Sequence, residues 1–286
     1  MALTTIREFK LFAVIATLLM SSACAALQPP SVTGPRGIDQ LYPILLSEDS
    51  QRREANAAAL NRLAQLTGSA GGATQPLLQP VTGTILSLPV RAGGALYLPK
   101  VGAGAIMNEE ETRESLRRFI RQWQELIGSD PLKLSLVERT DQPDGSKLAN
   151  YEQRPFRYPI RGNYGKLQIH FTGDRRVLDL TSSCIPDAER IQSSFSALGL
   201  RPKAEDAVQQ LRGKVLAYSD AAGNKTSFTI SPSSEINPRM MTIYVLPSQK
   251  APDTLEFHLA WEMELTNAPV KIAYIDAVSG EVIATQ

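Results

Sequence analysis

Cysteine and histidine are the scarcest chemistry in this 286-residue chain, with two of each. Two cysteines, Cys24 and Cys184, cannot build a disulfide framework or a cysteine-based zinc site. Charge of one sign is also missing: 30 Lys and Arg stand against 29 Asp and Glu. That balance argues against a nucleic-acid or polyanion partner. No apolar run approaches the ~20 residues that a membrane-spanning helix needs. His-Glu-x-x-His is absent as well, so the paired imidazoles and general-base carboxylate of a zinc peptidase are not encoded. No cofactor and no metal site is expected.

What is present begins with an export signal. Arg7 and Lys10 precede a short apolar block, Leu11–Met20, and then small residues, Ser21-Ser-Ala-Cys-Ala-Ala26. Small residues before Cys24 resemble a bacterial lipobox, which would make Cys24 the lipidation site and the protein a membrane-anchored lipoprotein of the cell envelope. Ser21 stands where such a box has Leu. The other reading is ordinary cleavage at Ala23-Cys24-Ala25 and a secreted product. Membrane contact is expected only through that anchor.

Residues 27–47 mix Pro, Gly and Ser and suit a tether. Asp49 to Leu66 is Ala- and Leu-rich, a predicted helix, ended by Gly68–Gly72. Asn108 and Glu111 form a capping-box pattern. After it Leu116, Phe119, Ile120, Trp123, Leu126 and Ile127 recur at helical spacing as one apolar stripe. Gly128 and Pro131 close that helix. Alternating runs predict strands at 132–136, 148–151, 167–171, 177–180, 241–246, 257–265, 270–276 and 281–283, with turns at Asp144-Gly145 and Gly173-Asp174. A second helix is predicted from Pro202 to Leu211. Helix followed by antiparallel strands, twice, is an α+β pattern.

Few residues offer catalytic chemistry. Cys184 could be a nucleophile only with His170 or His258 as base; a small buried residue is the plainer reading. Both histidines fall in alternating strands and read as structural or surface residues. Glu262 and Glu264 share one face of a strand, and that face reads as solvated.

Leu259-Ala-Trp261 together with Asp276-Ala-Val-Ser-Gly-Glu-Val282 resembles the closing strands of the PepSY module, and Pro202–Ala207 resembles the start of its helix. Upstream, Tyr151-Glu-Gln153, Pro159-Ile160, Gly162 and Leu167–His170 resemble the propeptide motif of fungalysin and thermolysin zymogens, in which Gln and Pro stand six residues apart. Arg157 replaces a Gly common in that family, and the stretch from Gly to strand is longer. Val81–Thr84 is similar to the family's earlier Gly-Thr turn. The resemblance runs over residues 80–286 in the family's order. It implies two cystatin-like, PepSY-type units: a signal at 1–26, a linker with a helix at 27–80, a propeptide-like domain at 81–187 and a PepSY-like domain at 188–286. In those zymogens the peptidase follows the PepSY strands; here the chain is expected to be a propeptide without its enzyme. The implied role is non-catalytic, an inhibitor or folding helper in trans for an exported metallopeptidase. The alternative is an envelope scaffold unrelated to peptidases. The motif residues Gln153, Pro159, Trp261, Asp276 and Gly280 are expected to be structural: Asp276 accepting bonds within its own turn, Gly280 supplying a positive φ, and Trp261 packing in the core with its indole N–H satisfied.

Overall fold

The computed structural model describes residues 42–67, 76–90, 96–104, 106–198, 203–219 and 223–286. The export signal, Cys24 and Pro202 lie outside the described residues.

In chain order the elements are β1 (Ile44–Ser47), α1 (Ser50–Thr67), β2 (Leu77–Leu78), β3 (Ile85–Pro89), α2 (Glu109–Gln122), α3 (Gln124–Ile127), β4 (Leu134–Asp141) and β5 (Lys147–Gln153). They continue with β6 (Ile160–Arg161), β7 (Lys166–Phe171), β8 (Val177–Ser182), α4 (Ala188–Leu198) and α5 (Ala204–Leu211). Last come β9 (Val215–Ser219), β10 (Lys225–Thr229), β11 (Ile236–Pro247), β12 (Thr254–Leu265), β13 (Ile272–Asp276) and β14 (Val282–Thr285). The fold is α+β.

The first sheet has the order β2-β3-β8-β7-β5-β4. Helix α2 starts as its sequence dictates. The Asn108 side chain accepts from the Glu111 amide at 2.9 Å, and the Glu111 carboxylate accepts from the Asn108 amide at 2.9 Å. Its apolar stripe is wholly buried against Ala149, Leu167, Ile169 and Phe171, the inward residues of β5 and β7. The stripe does not belong to one continuous helix, however. The backbone leaves helical geometry at Trp123 (φ −116°, ψ 24°) and resumes as α3, which Gly128 ends at φ 81°.

The second sheet runs β14-β13-β12-β11-β6, with β1 on the same edge of β12 as β13. Two of its strands therefore come from residues ahead of 188. Strand β12 alternates strictly: its odd residues, Leu255 to Leu265, face helices α4 and α5, while Glu256, His258, Ala260, Glu262 and Glu264 lie on the other face. Strand β6 pairs parallel with β11 because Pro159 and Gly162 let it approach. The Pro159 carbonyl accepts from the Ile243 amide at 2.9 Å. Gly162 (φ 89°) sits where a Cβ would come within 2.0 Å of the Val245 carbonyl oxygen.

Helix α4 and the β9–β10 hairpin are not apparent from apolar spacing. The α4 segment is rich in serine, and Ser193, Ser194 and Ser196 bond back to the carbonyls of Glu189, Arg190 and Gln192, at 2.8, 3.0 and 3.0 Å. Such side chains offer the backbone alternatives to helix, which hides the element from propensity. Tertiary burial of Ala188 and Ile191 against β11 and β12 decides its conformation.

Candidate functional site

Among the described residues, the buried carboxylates Asp276 and Glu262 both lie on the outer face of the second sheet. Asp276 is 2% exposed. Its Oδ1 accepts from the amides of Val278 and Ser279, at 2.8 and 2.9 Å, which closes the turn ahead of β14. Its Oδ2 meets His258 Nδ1 at 2.6 Å and accepts from the Tyr42 hydroxyl at 3.0 Å. That hydroxyl in turn accepts from the Leu259 amide at 2.9 Å. The other ring nitrogen, His258 Nε2, lies 3.2 Å from Glu256 Oε2, and Glu256 Oε1 accepts from Ser248 at 2.6 Å. The five side chains come from four places in the sequence; pairing of β13 and β1 with β12 brings them together.

Electrostatics follow from the geometry. Burial acts to lower the His258 pKa, but hydrogen bonds and charges from Asp276 and then Glu256 prevail and hold it above its ordinary value. For Asp276, burial acts upward, and the bonds from His258 and from the Ser279 and Val278 amides bring it below the usual carboxylate value. Burial, then the Asp276 charge, pushes the Tyr42 phenol far up, so it stays a donor. The geometry, one carboxylate oxygen at each ring nitrogen, favours the doubly protonated ring over the neutral one.

Further along the same face Glu262 is only 3% exposed, which corrects the reading of it as part of a solvated surface. It accepts from Arg161 Nε at 2.8 Å and pairs with Arg239 at 3.4 Å. Burial without such partners would cost several kcal/mol, and two guanidiniums supply the compensation. Glu264, its neighbour by alternation, is exposed. The rings of Tyr244 and Tyr274 meet beside this pair, 4.7 Å apart at centroids and inclined by 49°.

The motif residues take these places. Gln153 is buried and works as a side-chain bridge: Nε2 donates to the Ile185 carbonyl at 2.8 Å, and Oε1 accepts from the Ile185 amide at 2.8 Å. It thereby ties β5 to the strand-to-helix link ahead of α4. Gly280 has φ 71°, and Pro159 is exposed with its carbonyl in the β6–β11 pairing. Trp261 packs on the α5 core, but its Nε1–H has no partner among the described residues, because the odd face of β12 that carries it is apolar.

The remaining candidates carry no reactive arrangement. Cys184 is fully buried, and burial pushes its thiol up to about 12, so no thiolate forms near neutrality. His170 Nε2 lies 2.6 Å from Ser146 Oγ. The Ser146 hydroxyl also donates to Asp144 Oδ1 at 2.6 Å, so the serine's proton goes to the carboxylate and the group locks the β4–β5 turn. No set of three or more His, Cys, Asp or Glu among the described residues is disposed to hold a metal ion. In the His258 cluster the two carboxylates sit on opposite ring nitrogens, so their lone pairs do not converge. No helix among the described residues is long and apolar enough to cross a membrane. A shallow groove of about 370 Å³ crosses the outer face of the first sheet, flanked by exposed Leu86 and Val137.

No family model matches this chain. No curated protein matches it either. Among solved structures it is similar to the Bacillus megaterium YpeB C-terminal domain, at 11% sequence identity and a TM-score of 0.27 over 84% of this chain and 98% of that one.

Proposed function

We propose that this chain is a non-catalytic binding protein that acts in trans on an exported zinc metallopeptidase, as inhibitor or folding helper. The observation that carries this reading is where the motif residues sit. Gln153, Pro159, Gly162, Asp276 and Gly280 hold strands and turns in register. That is the use a propeptide and PepSY resemblance assigns to them. The acid–base groups are spent on one another: both ring nitrogens of His258 face carboxylates, and each nearby hydroxyl already bonds an acceptor. A partner that binds only the folded peptidase favours its folding by mass action.

The test immobilises the mature protein and passes the envelope and culture medium of its own source over it. Bound material is assayed for EDTA-sensitive proteolysis before and after the complex is dissociated. Activity that appears on release supports the proposal. A reproducible partner without such activity overturns it in favour of an envelope scaffold.

A further inference from the structure

Strand β1 is short, and its hold on the sheet is unusual. Four residues pair with β12, from Ile44↔Phe257 to Ser47↔Thr254, below the point where β13 takes over the same edge. A strand of four residues makes few ladder bonds, so side chains supply much of its attachment. Ile44 and Leu46 enter the core. On the opposite face Tyr42 reaches past the strand to Asp276 and the Leu259 amide, and its ring meets that of His258 edge-on, 5.8 Å apart at 88°.

We propose that Tyr42, His258, Asp276 and Glu256 form a proton-operated latch, which fastens β1 to β12 while His258 carries both ring protons and loosens it when one is lost. With two protons, Nδ1–H donates to Asp276 and Nε2–H donates to Glu256. With one, a ring lone pair must face a carboxylate oxygen, and two acceptors repel. If the proton stays on Nδ1, Glu256 is driven off; it is the residue opposite Leu45 of β1 and the acceptor of the Ser248 bond. If the proton stays on Nε2, the lone pair faces Asp276 Oδ2, the oxygen that holds Tyr42.

The charged and titratable groups around the ring are few. Asp276 faces it from β13, Glu256 from its own strand and Tyr42 from the segment ahead of β1. Tyr244 stands opposite on β11, and burial raises its phenol, which stays neutral through the relevant range. Arg161 on β6 adjoins Tyr244 and is engaged with Glu262. The sign is therefore set by His258. Its pKa is raised in the folded state, so the latch is closed below the ordinary value of 6.5 and opens as pH rises through the folded value.

Hydrogen–deuterium exchange of the full chain, read by mass spectrometry and corrected for intrinsic exchange, tests this. Between about pH 6 and about pH 9 the protection of residues 42–48 is expected to fall about tenfold, while β7 and β8 keep theirs. In Glu256→Gln the fall should disappear, because the amide can donate to a neutral Nε2. Unchanged protection in the wild-type chain, an equal fall in every strand, or an undiminished fall in E256Q each overturns the latch. Should E256Q not fold, the wild-type protein decides alone. His258 and Tyr42 ring resonances must titrate with one midpoint, and separate midpoints refute the coupling.

Discussion

Asp276 is the residue on which most of the second sheet's polar order depends. It closes a turn with one oxygen and joins His258 and Tyr42 with the other. Asp276→Ala leaves an imidazolium and two amides without their acceptor, and is expected to cost about 3–5 kcal/mol in urea unfolding. The pH profile of stability should be a dome. Asp276 is lowered in the folded state, so its contribution is present above the ordinary 3.8 and is lost as pH falls through the folded value. His258 is raised, so its share is complete below 6.5 and is lost on going alkaline. A stability that climbs steadily from neutral into alkaline pH would contradict this. At this scale the sequence was half legible. Asp276 and Gly280 announce themselves by a turn signal that spans five residues. Tyr42 and Asp276 are 234 positions apart, and no local pattern links them. Glu262 is illegible for the same reason: alternation says which face a residue is on, and only Arg161, 101 positions away, says that the face is buried.

At the scale of elements, long periodic segments were readable and short or polar ones were not. Helices α1 and α2 follow from composition, capping and stripe. Helix α4 does not, because its serines mask its propensity, and β1 and β6 are too short to show a period. Yet β6 is anchored by a residue the sequence does flag. Gly162→Ala must place a Cβ against the Val245 carbonyl at a positive φ. The expected loss is about 1–3 kcal/mol. Because Arg161 is the residue before it, the same substitution should withdraw the guanidinium from Glu262. A crystal structure of the variant showing β6 and Arg161 in place would refute that account.

At the scale of the molecule, the loops that leave the first sheet pack into the core of the second. Val81, Phe156 and Ile185 lie in one buried cluster with Ile243, Val245 and Phe257. Cooperative units follow contiguous burial, so residues 42–286 should unfold in one transition, with calorimetric and van't Hoff enthalpies in agreement. Two separate transitions would mean that this cluster contributes little. Linear order suggests a boundary near residue 187, yet β1 and β6 of the second sheet lie ahead of it, and the buried cluster draws on residues from both sides.

The first sheet ends at β4, which among the described residues pairs with β5 alone. Between Leu136 and Glu138 that ladder slips by one, leaving Val137 as an extra, half-exposed residue. A kinked rim cannot template a straight newcomer. In crowded solution this rim is thereby a poor template for the edge of a second copy, and the slip at Val137 is where a growing filament would lose its register.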